Sequence, residues 1–196
     1  VARKQAADFD LRREAITEAA AELFAKKGFL GASIADLSAA CNMSKSLIYH
    51  YFPSKEDILF EVMWSHVNIL VQTAQTISSQ KRPPDELLRL LAQSLMETYN
   101  GAQFKQKILL NELDNLPPEK RALVVRAQRD VLAVVDKLLV DLRPALAGKR
   151  KQRMPIVMMY FAMLNWTHVW FDRKGPVSER KVADLAVDMF LGGLPS

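Results

Sequence analysis

The sequence predicts an all-α chain made of a small helical head, a connecting helix and a longer helical body. Three observations carry that reading. Apolar residues recur every three or four positions through most of the 196 residues, the period of a helix with one buried face. Serines with acidic residues close behind them stand where such stretches open, as helix caps do. Proline and glycine interrupt the pattern at Asn100-Gly101, Pro117-Pro118, Ala147-Gly148 and Gly175-Pro176, and no stretch alternates as a half-buried strand would.

From the N-terminus, residues 11–27 place Ile16, Ala19, Ala20, Leu23 and Phe24 on one face and end near Gly28. Ser33 opens a second helix with Asp36 completing a capping box, and turns Ile34, Leu37 and Ala40 inward. Ser44 caps a third, short helix that runs to about Tyr51 and is closed by Pro53. Ser54 caps a fourth, with Glu56 and Asp57 in its first turn, that continues to about Ser78. Lys81-Arg82-Pro83-Pro84 ends it. Further helices are expected over 85–99, 103–115, 118–143, 154–172 and 178–192. This divides the chain into a head at 1–53, a connecting helix at 54–78 and a body at 79–196. Residues 154–171 contain no charged side chain, and eighteen such residues approach the length of a bilayer span. Asn165, Thr167 and His168 at one end, with charges clustered on both flanks, favour a buried helix, apolar all round, so no membrane is expected.

Composition narrows the function. The net charge of +5 hints at an acidic partner, but the first 60 residues balance eight basic against eight acidic side chains. Particular residues, rather than bulk charge, must therefore identify any nucleic-acid site. The single cysteine, Cys41, excludes an internal disulfide framework and fits a reducing compartment. With no signal-like apolar run near the N-terminus, a cytoplasmic location is expected.

The chemistry concentrates in residues 33–55. Two short helices separated by Cys41-Asn42-Met43 have the form of a helix-turn-helix, whose turn often requires a residue at positive φ, and Asn tolerates it. On the third helix Leu47 and Ile48 pack inward, which leaves Lys45, Ser46, Tyr49 and His50 outward as donors and aromatic surface for a major groove. Ser33, Tyr49, Tyr51 and Lys55 suit phosphate contacts, which position a helix without specifying sequence.

The wording of this region closely resembles the N-terminal domain of the TetR family of bacterial transcriptional repressors. The likeness runs from Arg12-Arg13-Glu14-Ala15-Ile16 through Phe24-Ala25-Lys26-Lys27-Gly28-Phe29 and Ser33-Ile34-Ala35-Asp36-Leu37. It ends on Leu47-Ile48-Tyr49-His50-Tyr51-Phe52-Pro53-Ser54-Lys55-Glu56-Asp57. The resemblance implies a TetR-like fold: a three-helix DNA-binding head and a helical ligand-binding and dimerisation body. It puts Tyr49, His50 and Lys55 at DNA-contacting positions, with Ser44, Lys45 and Ser46 at the start of the third helix. Asn42 departs from the family's usual Gly, and Ser33 from its commoner Thr.

A second likeness lies in the body. Asn165-Trp166-Thr167-His168-Val169-Trp170-Phe171 and Glu112-Leu113-Asp114-Asn115-Leu116-Pro117-Pro118-Glu119-Lys120-Arg121 resemble TetR-type regulators of fatty-acid, steroid and phenylacetate breakdown. Several of those sense acyl-CoA thioesters, so the resemblance implies an acyl-CoA or phenylacetyl-CoA effector rather than a bound cofactor. Tyr99, Met159, Met163, Trp166 and Trp170 offer apolar surface for an acyl or aryl group, although ordinary core packing accounts for such residues equally well. Asn165 could bond a thioester carbonyl, and Arg126 and Arg129, or the Lys149-Arg150-Lys151 run with Arg153, could meet CoA phosphates. Helices 154–172 and 178–192, with Val182, Leu185, Ala186, Met189 and Phe190, are expected to form a homodimer that matches a palindromic double-stranded operator. Burial against the same chain is the alternative.

An enzyme is not expected. His50, His66 and His168 are scattered, with neither zinc-site spacing nor a nucleophile motif, and no metal is expected. Three functions compete: an effector-released repressor, which the head favours, a helical adaptor for protein partners, and an enzyme of a CoA-thioester pathway.

Overall fold

A computed structural model describes residues 2–194, with side chains from residue 8 onward, and among the described residues there is no strand. The helices are α1 (Ala2–Lys27), α2 (Ile34–Cys41), α3 (Lys45–Tyr51), α4 (Lys55–Ser78), α5 (Pro84–Gly101), α6 (Gln103–Asn111), α7 (Pro118–Leu142), α8 (Arg150–Asn165), α9 (Thr167–Trp170) and α10 (Glu179–Gly192). Single 3-10 turns occupy Leu113–Asn115 and Pro144–Leu146. The all-α expectation holds.

Among the boundaries that differ from expectation, three have a local reason. α1 reaches upstream of residue 11 because Ala2-Arg3-Lys4-Gln5-Ala6-Ala7 contains good helix formers and no breaker. The stretch 103–115 splits into α6 and a 3-10 turn. α8 starts at Arg150 rather than 154, so Pro155 lies inside it instead of opening it. Arg153 pins that extra turn. Its guanidinium donates to both carboxylate oxygens of Asp136, at 2.7 and 3.0 Å, and to the carbonyls of Leu146 and Ala147 at 2.6 and 2.5 Å. Arg153 is therefore a structural residue, not a free cation for a phosphate.

The chain forms two compact units, Val1–Val67 with Phe104–Val124, and Asn68–Gln103 with Val125–Ser196. Their boundaries fall inside α4, after the first residue of α6, and inside α7. The first unit has its core at Ile16, Ala20, Phe24, Leu37, Ile48, Phe52, Ile58 and Leu59, all buried. Gly28, at φ +75°, turns the chain out of α1, and its amide still donates to the Phe24 carbonyl at 2.9 Å. Ser33 and Asp36 form the expected capping box at α2. Of the three residues expected inward on α2, Leu37 is buried and Ile34 half-buried, whereas Ala40 is exposed because α2 ends one residue later.

In the second unit α10 packs on α5 and α8. Tyr160 marks the centre: its hydroxyl donates to the Leu88 carbonyl at 2.7 Å and its ring meets Phe190 edge-on at 5.3 Å. Polar ties reinforce the seam, with Arg89 on Asp184 and Asp188, Gln93 on Asp184, and Asn100 on Glu179. The segment expected to be a helix buried all round is corrected. Val157, Tyr160, Phe161 and Leu164 face the core, but Met158, Met159, Trp166, Val169 and Trp170 stand at least half exposed. The apolar run is not the single helix expected over 154–172: α8 ends at Asn165 and α9 covers Thr167–Trp170, and of the run's two apolar faces its own chain covers one.

The turn between α2 and α3 gives a test of the local physics. Asn42 sits at φ 52°, ψ 43°, the left-handed region that Asn and Gly tolerate and β-branched residues do not. Asn42→Gly is expected to leave the thermal transition nearly unchanged, while Asn42→Val lowers stability by about 1–2 kcal/mol. Equal melting curves for the two variants would show that the turn does not impose this conformation in solution.

Candidate nucleic-acid interface

α3 owes its position to one cap and one buried face. Ser44 is extended, and its hydroxyl accepts from the Leu47 amide at 3.1 Å. Ile48 is buried and Leu47 half-buried, so the opposite face is left to solvent. On it Ser44, Lys45, Ser46, Tyr49 and His50 are all exposed, and the five residues expected there come together on one short helix.

The remaining predicted contacts behave differently. Ser33 is exposed, but its hydroxyl donates to Asp36 at 2.6 Å and accepts from the Asp36 amide at 3.1 Å. Lys27, together with these bonds from Ser33, holds the Asp36 carboxyl well below the usual carboxylate range. Tyr51 is half-buried, with its ring 4.7 Å from that of Phe9. Lys55 is also half-buried: its ammonium donates to the carbonyls of Phe29 and Ala32, both at 2.8 Å, and lies 4.2 Å from the Phe29 ring centre. It ties down the loop between α1 and α2.

A set of contacts that the sequence reading missed holds this head from behind. Residues 104–124 belong to the same compact unit as the head. Lys105 pairs with Glu18, Lys107 donates to the Ala25 carbonyl at 2.8 Å, and Glu112 accepts from the Phe29 amide at 3.3 Å. Lys120 pairs with Asp57 at 2.5 Å. Burial pushes the Asp57 carboxyl up, but Lys120 and the Ser54 hydroxyl outweigh it and hold the group below its ordinary range. Fully buried His66 places Nε2 2.7 Å from the Gln106 side-chain oxygen, and Nδ1 has no partner. The string Glu112–Arg121 was visible as family-like, yet nothing in its spacing showed that it folds against α1 and α4.

The residues expected to line an effector site differ widely in exposure. Tyr99 is buried, Met163 and Asn165 are half-buried, and Met159, Trp166 and Trp170 stand 65, 63 and 56% exposed. Arg126 and Arg129 are exposed on α7. Two clefts of the second unit are lined by other residues. One, of about 360 Å³, is bounded by Ser78, Arg82, Leu87, Val134, Lys137 and Asp141. The other, of about 490 Å³, is bounded by Ile69, Thr73, Thr76, Gln80, Glu97 and Thr98. Of the expected dimer residues, Leu185 and Met189 are exposed and Val182 and Ala186 half-buried, whereas Phe190 turns inward onto Tyr160. Among the described residues no cluster of His, Cys, Asp or Glu could hold a metal, and no helix is long and apolar enough to cross a membrane.

Two family models match the chain: bacterial regulatory proteins of the tetR family at residues 16–62, and the tetracyclin repressor-like C-terminal domain at residues 81–194. The second alone spans more than half of the sequence. The chain belongs to the TetR family. It is thus a helix-turn-helix, DNA-binding regulator of transcription and not an enzyme. A TetR-family regulator from Bordetella parapertussis 12822 is 34% identical with a TM-score of 0.89, over 94% of this chain and 97% of that one. AibR, solved with isovaleryl coenzyme A and operator DNA, shares the fold at 24% identity and a TM-score of 0.80, over 91% of this chain and 97% of its own. The transcriptional repressor KstR2 of Mycolicibacterium smegmatis is 24% identical over 93% of this chain and 90% of its own length. By contrast the chain spans only 39% of the length of the YerO regulator of Bacillus subtilis.

The burial of His66, on α4, is expected to make the stability of the first unit depend on pH. Burial pushes the His66 imidazole below its ordinary value near 6.5, so the unfolded chain binds the proton more readily than the folded one. His66 therefore contributes stability that is present above about pH 6.5 and is lost as pH falls below it. His66→Gln, which cannot titrate, is expected to flatten the fall in melting temperature between about pH 5 and 6.5. Parallel pH profiles for the two proteins would exclude His66 as the source.

Proposed function

We propose that this TetR-family regulator is a homodimeric repressor that sits on a palindromic operator and is released by a CoA thioester. The observation that carries the DNA half is the exposed Lys45, Ser46, Tyr49 and His50 face of α3. One seven-residue helix reaches few base pairs, whereas a twofold dimer presents two of them. The outward stripe supports the dimer. Met159, Trp166 and Trp170, with Leu185 and Met189 of α10, are large apolar residues left exposed by their own chain. We therefore assign Met159, Trp166 and Trp170 to the twofold contact rather than to an effector pocket.

The CoA half has two supports: the AibR complex with isovaleryl coenzyme A and operator DNA, and the motif strings of the body. Of the expected ligand residues, Tyr99, Met163 and Asn165 keep the burial that an acyl or aryl group and its thioester need. Arg126 and Arg129 keep the exposure that CoA phosphates need. A ligand releases DNA only if it binds the DNA-incompetent arrangement more tightly. A coupling of about 1–3 kcal/mol would weaken operator binding about 5–150-fold. α4, continuous from Lys55 to Ser78, is the element proposed to carry that change to the head.

The test is a gel shift with DNA from upstream of the protein's own gene, titrated with phenylacetyl-CoA, isovaleryl-CoA and a long-chain acyl-CoA. Free CoA and the free acids serve as controls. Retarded DNA that a thioester releases is the expected result; retarded DNA indifferent to the whole panel would sink the CoA assignment and leave the repressor standing. Lys45→Ala should weaken the operator by more than random DNA, the signature of a lost groove contact, and make the salt slope shallower by up to about 1 for the cation removed. Equal weakening of both duplexes, or none, would remove that role. Trp166→Ala should shift the sedimentation profile toward monomer. A variant that stays dimeric but loses its effector response would return Trp166 to the pocket.

A further inference from the structure

α1 extends well upstream of residue 16, where the match to the tetR-family model begins, and that extension makes a contact of its own. Phe9 and Arg13 stand four residues apart, on one face of α1. They meet consecutive residues at the end of α3. The Phe9 ring lies 4.7 Å from that of Tyr51, tilted by 41°, and the Arg13 guanidinium lies 5.0 Å from the Phe52 ring centre. Phe9 also meets the His50 imidazole edge-on at 6.2 Å, and His50 meets Tyr51 edge-on at 5.3 Å. Three rings thus close on one another where the recognition helix ends. Arg13 fixes the register of α1 from the other side, through its 2.5 Å bond to Glu61 of α4.

Phe9 is 39% exposed, so ordinary core burial does not explain the contact. Its neighbours do. The outer torsion of an imidazole is broad and nearly free when exposed. A donor that must be aligned on a base edge loses that freedom on binding, unless a neighbour has already fixed the ring. The T-shaped and tilted contacts around Phe9 are the geometry that aromatic rings prefer. We infer that Phe9 is a positioning residue for sequence readout, whose ring holds His50 and Tyr51 in the orientation that α3 presents to DNA. This role rests on the operator-binding function proposed above. Phe9 itself touches no base. Its contribution falls on specific binding, because random DNA is held by phosphate contacts that do not need an aligned His50.

The experiment uses the full chain as wild type, Phe9→Ala and Phe9→Tyr. Binding sites are selected by the wild type from a randomised duplex library, and all three proteins are then titrated on the selected site and on random duplex. Phe9→Ala is expected to lose about 2- to 10-fold on the selected site, the range of an aromatic contact. It should keep its affinity for random duplex and its salt slope, and Phe9→Tyr should restore the loss. In the free proteins, the His50 ring-proton resonances should move toward solvent-exposed values in Phe9→Ala and return in Phe9→Tyr. Equal weakening on both duplexes would mark Phe9 as merely structural and overturn the inference, as would no change on either. Failure of the wild type to enrich any site would overturn the repressor reading itself and the readout role with it, an outcome distinct from loss of the Phe9 effect alone.

Discussion

A helix of seven residues does not hold in water by itself, so what the head can offer to DNA depends on the burial of Ile48 and Phe52. Both are essentially inaccessible to solvent. That burial sets which face of α3 is inward, and the helical period then puts Lys45, Ser46, Tyr49 and His50 outward. The Ser44 cap, the left-handed turn at Asn42 and the stop at Pro53 fix where α3 begins and ends. They would be idle without the anchor. The same anchor marks the proposed groove-facing surface by position rather than by a local surplus of positive charge, since the first 60 residues balance eight basic against eight acidic side chains.

A second set of constraints acts on the head from outside the helix-turn-helix. Lys107 at the Ala25 carbonyl and Glu112 at the Phe29 amide occupy groups at and just beyond the C-terminal end of α1, while Lys55 occupies the carbonyls of Phe29 and Ala32. The loop between α1 and α2 is thereby tied on several sides. Lys120 on Asp57 adds a tie to the first turn of α4. The buried His66–Gln106 hydrogen bond joins α4 to α6 inside the core, where losing the one partner of His66 Nε2 would be costly. A regulator whose recognition helix must be presented in one orientation gains from such a frame.

The head was largely legible from sequence because its signals are local. Caps, breakers and a three-to-four-residue apolar rhythm lie within one turn of the residues they govern, and Asn42, Ser33, Ser44 and Pro53 each acted as read. The body was legible as helices but not as faces. Met159, Trp166 and Trp170 look like core from composition alone, and only the placement of Tyr160 against Leu88 of α5 and Phe190 of α10 shows which side of the run is covered. Phe190 and Leu185 show the same ambiguity on α10, one inward and one outward. The ties through Lys105, Lys107 and Glu112 join residues more than eighty positions apart, and no spacing rule reaches that far. The extension of α1 was missed because no apolar stripe announces it, and its contacts through Phe9 with the end of α3 cannot be read from spacing.

The central claim is that the outward face of α3 is the surface that meets DNA, and amide chemical-shift mapping addresses it most directly. Isotope-labelled protein would be titrated with duplex from its own upstream region at moderate salt. The account predicts that the strongest perturbations fall on Ser44 through Tyr51, with weaker ones near Ser33, and that they vanish as salt rises. Perturbations centred on the cleft at Arg82 and Lys137, or on the stripe at Trp166, with α3 unmoved at saturating DNA, would contradict it.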